Sequence, residues 1–275
     1  MVAGDMRFMW LGTSCFILEA GGLRILFDPY LESRASFNPP PLKPSEIKDL
    51  DLVLVTHGHY DHFVDAPSLL RSTEAKLVAS RELCDYAKAK LGVSEARLIP
   101  LNQGEVVEVE GVKIEATRGE HMSPLDVIRW FIGDFSYTPS SRDELRRMYA
   151  ERFPQEVLRF ASEVPMGPLQ GYLLTGGRGL RAWNPSETVF FEGLEELARR
   201  AKPEVLFPCV AGGFERDAVK LVEWSRPKVV VPHSFDKLFE RQALLGDVNL
   251  FKELVASACP GTEVLIPRPG EWYSL

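Results

Sequence analysis

Three histidines and an aspartate follow a short apolar segment, and this arrangement restricts the fold more than any other feature of the chain. The segment Asp51–Thr56 (DLVLVT) is a continuous apolar run, which is typical of a strand buried on both faces. The residues that follow it are His57-Gly58-His59-Tyr60-Asp61-His62. Because a buried strand delivers its next residues to the edge of a sheet, we predict a functional site in the loop after this strand.

The spacing of these polar residues suits a metal site. His57 and His59 are two residues apart, so an extended segment points both imidazoles to the same side. Asp61 and His62 follow where the chain can turn and present further ligands. Imidazole and carboxylate together suit zinc, iron or manganese. The alternative is a polar turn with chance histidines, which three histidines within six residues make a poor explanation.

The two ends of the chain differ in their predicted secondary structure. Near the start, short β-rich segments separated by glycine turns predict strands at Arg7–Leu11, Cys15–Glu19 and Leu23–Phe27. In the last third, helices alternate with strands, the helices being predicted at Glu192–Lys202, Glu215–Ser225 and Asp247–Ala258. Strands in two halves with helices on their outer faces predict an α/β fold, a four-layer αββα sandwich.

The segment 122–170 fits neither half and is predicted to be a helical insertion in a single domain over 1–275. Ser141–Glu144 has the form of a capping box, and apolar residues then recur at helical spacing as far as Ala161, with a break forced at Pro154. The aromatic residues just before it are predicted to lie in a loop: Trp130, Phe131, Phe135 and Tyr137.

Composition excludes several classes of protein. The chain has 275 residues, of which 45% are hydrophobic, so it is long and apolar enough to bury one large core. Its net charge of -7 argues against a nucleic-acid partner, which usually needs a basic face. Four widely spaced cysteines are expected to be buried thiols: Cys15, Cys84, Cys209 and Cys259. The pattern shows no apolar run long enough for a membrane span and no signal peptide, so we expect a cytoplasmic protein.

The histidine cluster resembles the H-x-H-x-D-H signature of the metallo-β-lactamase superfamily. The segment Phe8–Leu31, which contains WLGTSCFILEAGGLRILFDPYL, resembles the opening hairpins and the Asp-Pro element of that superfamily. The resemblance covers nearly the whole chain, and it is strongest to the branch that contains ascorbate-6-phosphate lactonase and N-acyl-phosphatidylethanolamine phospholipase D. The resemblance is specific for the sandwich fold and the metal site, and unspecific for the substrate.

The resemblance implies two divalent metal ions, with zinc favoured and manganese or iron as alternatives. It assigns the first ion to His57, His59 and His121. It assigns the second ion to Asp61, His62 and His233. His121 and His233 each follow a predicted strand, which is where the superfamily places its ligands.

The chain departs from the family pattern at the carboxylate that bridges the two ions. Glu187, in Asn184-Pro185-Ser186-Glu187-Thr188, stands where the family usually has an aspartate. Glutamate is one methylene longer, so three roles stay open: bridging both ions, binding one, or binding neither. In the last case Glu187 would be an ordinary residue at a helix start, where the helix dipole favours it.

Thr13 is a second departure from the family pattern. Relatives often have a histidine at this position that contacts the substrate, so this contact could be missing here.

Asp28 has a supporting role in the family pattern. It precedes Pro29, and the resemblance implies that its carboxylate forms a hydrogen bond near the metal ligands, which holds an imidazole in place. The alternative is a turn-forming aspartate before proline.

The implied function is that of a metal-dependent hydrolase. Two ions about 3.5–4 Å apart would share a water and lower its pKa toward 7. The resulting hydroxide would attack an ester, lactone or phosphodiester, and Asp61 would be catalytic by orienting the hydroxide and passing on a proton. The alternatives are a metal-binding protein with little or no turnover and an iron-dependent oxidoreductase.

The insertion suggests which kind of substrate or partner molecule would bind near the site. It begins beside His121, so its aromatic residues are predicted to cover a small-molecule site as a lid. Its arginines raise the option of an anionic substrate: Arg129, Arg142, Arg146, Arg147 and Arg152. The alternative is that the insertion packs on the body or on a second copy of the chain in a homo-oligomer.

Overall fold

The computed structural model describes residues 6–31, 39–177, 180–237 and 245–275. Within these residues the strands form two sheets of seven. The first sheet has the spatial order β14 (Trp272–Ser274), β1 (Arg7–Gly12), β2 (Cys15–Ala20), β3 (Leu23–Phe27), β4 (Leu52–Leu54), β5 (Lys76–Ala79) and β6 (Leu98–Pro100). The second sheet has the order β13 (Glu263–Val264), β12 (Val229–Val230), β11 (Val205–Leu206), β10 (Arg181–Asn184), β9 (Gln170–Thr175), β8 (Val112–Arg118) and β7 (Val106–Val109).

Each sheet is antiparallel at one end and parallel at the other. Strands β14, β1, β2 and β3 are antiparallel neighbours, and β3 to β6 are parallel. Strands β7 to β10 are antiparallel, and β10 to β13 are parallel. Because β8 and β10 both pair antiparallel with β9, their carboxyl ends reach the same edge of the second sheet.

The helices lie in three groups. The first group comprises α1 (Tyr60–Phe63), α2 (Ala66–Ser72) and α3 (Arg81–Leu91). The second group is the insertion, with α4 (Pro124–Ile132), α5 (Arg142–Arg152) and α6 (Gln155–Glu163). The third group comprises α7 (Leu194–Ala201), α8 (Glu215–Ser225) and α9 (Val248–Ala258). None of the described helices has the length and apolar character needed to cross a membrane.

Alternating side chains of the strands supply separate hydrophobic layers. In β1, Phe8 and Trp10 belong to the core between the two sheets, while Met9 and Leu11 belong to the core between the first sheet and its helices. A third core joins the second sheet to α7, α8 and α9, with Trp183 fully buried in it. The predicted four-layer αββα sandwich is therefore confirmed.

One helix of the insertion was not predicted from the sequence. The residues around Trp130 were expected in a loop, but the structure has α4 there. Ser123 caps this helix by accepting a hydrogen bond from the backbone N–H of Asp126, and Gly133 ends it in a left-handed conformation. The predicted break at Pro154 is confirmed, because α5 and α6 lie on either side of it.

Four strands were not predicted from the sequence, namely β6, β9, β10 and β14. β9 and β10 pair antiparallel as consecutive strands, and Arg178 and Gly179 between them lie outside the described residues. All four cysteines are free thiols. Cys15, Cys84 and Cys259 are buried as predicted, whereas Cys209 is only partly buried.

Candidate metal centre

The candidate ligands stand at the carboxyl ends of strands in both sheets. His57, His121, Glu187 and His233 each come three residues after a strand ends, the last residues of these strands being Leu54, Arg118, Asn184 and Val230. His59 precedes the short helix α1, and Asp61 and His62 lie in its first turn. The sandwich therefore brings residues that are up to 176 positions apart, from His57 to His233, to one edge of the molecule.

Three of the candidate imidazoles converge in the structure. His57 Nε2 lies 3.1 Å from His59 Nδ1, and the rings of His59 and His121 have centroids 4.5 Å apart. One nitrogen of each of these three residues lies within 4.8 Å of the other two. Two nitrogens bound to one tetrahedral zinc ion are roughly 3.3 Å apart, so this geometry fits a single ion.

The surroundings of these imidazoles keep them neutral, which is the form that binds a metal. Burial, together with the other histidines nearby, lowers the pKa of His57 well below its usual value. Burial also lowers the pKa of His59 to about 3 and that of His121 below its usual value. His121 Nδ1 donates to the carbonyl of Met122 at 3.0 Å, which leaves Nε2 available as the ligand atom.

Asp28 contacts His62, one of the candidate ligands. Its carboxylate Oδ2 is 3.0 Å from His62 Nδ1, and its Oδ1 accepts the backbone N–H of Thr56 at 2.8 Å. Burial lowers the pKa of His62, but the carboxylates of Asp61, Asp28 and Glu187 outweigh burial and raise it to about 10. Asp28 has a φ of 42°, a strained backbone conformation that the surrounding hydrogen bonds maintain.

Lys237 is a residue of this site that the sequence did not reveal. Its Nζ lies 2.7 Å from Asp61 Oδ2 and also donates to Glu187 Oε1. The three side chains are only 9–13% exposed. Lys237 follows His233 by four residues in a stretch with no recognised motif, so only its neighbours in space identify it.

The set predicted for a second ion is only partly assembled. In the described chain, a second group with ligand atoms within 4.8 Å of one another comprises His57, His62 and Glu187, and neither Asp61 nor His233 belongs to it. His233 is buried, its Nδ1 is 2.9 Å from Ser234 Oγ, and its Nε2 has no hydrogen-bond partner among the described residues.

Glu187 does not stand at a helix start, so that alternative is wrong. It lies in the loop between β10 and α7, and α7 begins only at Leu194. The loop turns sharply after β10 because the side chain of Asn184 accepts the backbone N–H of Ser186, which has a φ of 61°.

Thr13 has a structural role that its residue type did not predict. It is buried with a φ of 46°, and its backbone N–H donates to Asp236 Oδ1 at 3.0 Å. Its carbonyl accepts the backbone N–H of Ser234 at 2.9 Å. Thr13 therefore anchors the loop that carries His233 and Lys237.

A largely apolar cleft opens onto these polar residues. His59, Asp61, His121, Glu187 and Lys237 contribute to its lining. The rest of the lining is mostly aromatic and aliphatic, and representative residues are Trp130, Phe131, Tyr149, Phe153, Leu158, Phe190, Phe214 and Trp224. None of the five arginines of the insertion lines the cleft in the described residues, and Arg129 instead contacts Asp126 and the carbonyl of Tyr137.

The chain is similar in sequence and in structure to known proteins, and the similarity extends over both sheets. A model of the β-lactamase superfamily domain matches residues 23–153. The UPF0173 metal-dependent hydrolases of Polaromonas sp. and Methanopyrus kandleri are each 29% identical to the chain, covering 98% of it and 89% and 99% of their own lengths. Among solved structures, Igni18, a metallo hydrolase from Ignicoccus hospitalis, matches with a TM-score of 0.72 at 22% identity, over 98% of both chains.

Proposed function

We propose that the chain is a member of the metallo-β-lactamase superfamily and a metal-dependent hydrolase of carboxylic esters or lactones that carry an apolar group. The observation that carries this proposal is that three imidazoles converge at a point onto which an apolar cleft opens. A phosphodiester is disfavoured because the lining is mostly apolar and its two lysines among the described residues already contact carboxylates: Lys220 contacts Asp217, and Lys237 contacts Asp61 and Glu187.

Three imidazoles would hold the ion, and zinc suits them best. A divalent ion on His57, His59 and His121 would supply a Lewis acid and lower the pKa of a bound water. The aromatic walls would bind the apolar part of the substrate and exclude bulk water from the reacting carbonyl. Asp61, which lies on the cleft, would orient the attacking water and carry a proton toward the leaving group.

A substrate series tests this function. Metal-free protein is given zinc, manganese or iron(II) and assayed on p-nitrophenyl esters from acetate to octanoate, on lactones of increasing chain length, and on bis-p-nitrophenyl phosphate. We expect metal-dependent ester or lactone hydrolysis, with kcat/KM rising about 3–4-fold for each methylene that enters the cleft. His59→Ala should lose both metal and activity.

Two results would contradict the proposal. Hydrolysis of the phosphodiester without hydrolysis of any ester or lactone would assign the site to phosphoryl chemistry. Ester hydrolysis that is equal with and without added metal, and equal in His59→Ala, would remove the metal from the reaction.

A further inference from the structure

The cation that neutralises the two carboxylates of the site is a side chain of the protein itself. Lys237 Nζ is 2.7 Å from Asp61 Oδ2 and donates to Glu187 Oε1. The other oxygen of Glu187 lies 3.4 Å from His62 Nε2, and His62 Nε2 lies 3.6 Å from Asp61 Oδ2. Lys237 thus occupies the polar pocket in which the family resemblance implied a second metal ion.

We propose that Lys237 takes the place of the second metal ion, so that the protein binds one divalent ion, on His57, His59 and His121, and no other at this centre. This inference rests on the proposed function only in taking those three imidazoles as the metal site.

The first physical reason is competition for the same oxygen atoms. A divalent ion such as zinc needs carboxylate oxygens at about 2.0–2.2 Å, and the two carboxylates of this site already accept hydrogen bonds from the ammonium of Lys237. A second ion would have to displace the ammonium or share oxygens with it. Sharing is opposed by the repulsion between a dication and an ammonium in a buried, weakly screened place.

The second reason is that Lys237 is held where it is. Its side chain is only 10% exposed, and its backbone N–H donates to the carbonyl of Ser234 at 3.2 Å. Ser234 is in turn tied to Thr13 by a backbone hydrogen bond of 2.9 Å. Moving the ammonium away would take from the two buried carboxylates the cation that contacts both of them at hydrogen-bond distance, which is costly.

The third reason is that the ligand set implied for the second ion is incomplete. In the described chain, His233 and Asp61 join no group of three ligand atoms within 4.8 Å of one another, whereas His57, His59 and His121 form one. The other such group, His57, His62 and Glu187, shares His57 with the first and contains the carboxylate that Lys237 contacts. A second ion would therefore compete for His57 and would need the side chains around Lys237 to rearrange.

Metal counting tests the inference. Chelator-treated protein is dialysed against excess manganese(II), gel-filtered and analysed for metal per chain, and the bound manganese is examined by electron paramagnetic resonance. Wild type should bind about one ion with the spectrum of an isolated Mn(II). Lys237→Met, which keeps the length of the side chain and removes the charge, should bind about two ions and give the spectrum of a coupled pair. The matched control Lys237→Arg keeps the charge and should bind about one.

Each outcome decides between the two claims. Two ions and a coupled spectrum in the wild type would overturn the replacement of the ion by Lys237 and leave the proposed function intact. No bound ion in the wild type would overturn the metal site on which the proposed function depends. A single ion in Lys237→Met would show that the ammonium is not what excludes the second. If that variant does not fold, the spectrum of the wild type alone still distinguishes one ion from a coupled pair.

Discussion

At the residue scale, the buried charges around Lys237 are the interactions most sensitive to substitution. Asp61 and Glu187 are almost enclosed, and each needs a cation beside it to offset its lost hydration. Removing one partner of a buried ion pair generally costs more than the pair contributes, because the other charge is left without compensation. These residues should therefore respond to substitution in stability as well as in activity.

Glu187→Gln separates a role in stability from a role in metal binding. The amide keeps the shape of the side chain but removes the charge that Lys237 contacts, so the free energy of unfolding should fall by about 3 kcal/mol. If Lys237 replaces the second ion, the metal content after dialysis against a weak chelator should stay at the wild-type value. Denaturant unfolding and elemental analysis measure the two quantities.

The control is Glu192→Gln, which changes an exposed glutamate in the same loop and should affect neither quantity. A fall in metal content in Glu187→Gln alone would place Glu187 among the ligands. It would then act by ligation as the family pattern implied, and Lys237 would share that carboxylate with an ion.

Gly58, within the histidine cluster, is required by close packing. A Cβ at this position would lie 2.0 Å from the carbonyl oxygen of Pro165, and the backbone N–H of Gly58 donates to the carbonyl of Met166 at 2.7 Å. This hydrogen bond holds the loop that contains His57 and His59 against the segment that follows α6. Only a residue without a side chain permits this approach.

At the scale of elements, the insertion forms one wall of the cleft. Val127, Trp130 and Phe131 of α4 line it, and so do residues of α5 and α6. Trp130 Nε1 donates to the carbonyl of Gly212 at 2.8 Å, and its ring packs against Phe214, so α4 contacts the loop before α8. That the insertion acts as a lid stays our proposal, and these contacts support it.

Trp130→Ala tests the lid. Loss of this side chain removes the contact of α4 with Gly212 and part of the apolar wall, so KM for long-chain esters should rise about 10-fold or more. KM for the acetate ester and the metal content should change little, because Trp130 is not among the candidate ligands. The measurement is steady-state kinetics along the ester series, together with metal analysis.

The matched control is Phe135→Ala, since Phe135 is an aromatic residue that is 63% exposed and absent from the cleft lining. It should leave both KM values unchanged. Equal loss of metal and of activity in Trp130→Ala would mean that the insertion supports the metal site structurally, and the lid proposal would be wrong.

At the scale of the whole molecule, the candidate metal centre joins the two halves of the sandwich. His57 and His59 follow a strand of the first sheet, and His121 follows a strand of the second. The core between the sheets is built from large apolar side chains such as Phe8, Phe16 and Phe207. A bound ion should therefore add to the stability of a fold that already exists.

Metal removal should lower the melting temperature without unfolding the protein. An ion present at 100 times its dissociation constant stabilises the folded state by about 2.7 kcal/mol, so chelation should lower Tm by about 5–10 °C. Far-ultraviolet circular dichroism should stay unchanged at room temperature. Differential scanning calorimetry with and without chelator measures the shift.

His59→Ala is the control, because a chain with an incomplete site should show little change in Tm on chelation. Unfolding of the wild type on metal removal would contradict the view that the core forms independently of the ion. An unchanged Tm in metal-loaded wild type would mean that no ion binds this centre tightly.

Features that depend on neighbouring residues can be predicted from the sequence. The strand before His57, the spacing of the cluster and the break at Pro154 are local patterns, and short β-rich segments between glycine turns are enough to predict β1, β2 and β3. The sandwich was predicted from strands in two halves with helices on their outer faces. Strands of two or three residues, such as β6 and β14, were missed since so short a segment has no period to detect.

Which residues meet at the candidate metal centre depends on the tertiary structure. Lys237 reaches Asp61 and Glu187 because the fold brings the loops after β12, β4 and β10 to one edge, and no local pattern marks a lysine for that position. The same holds for Glu187, whose place in a loop rather than at a helix start depends on where α7 begins. Ion pairs between distant residues depend on distance and burial, which the order of residues specifies only through the complete fold.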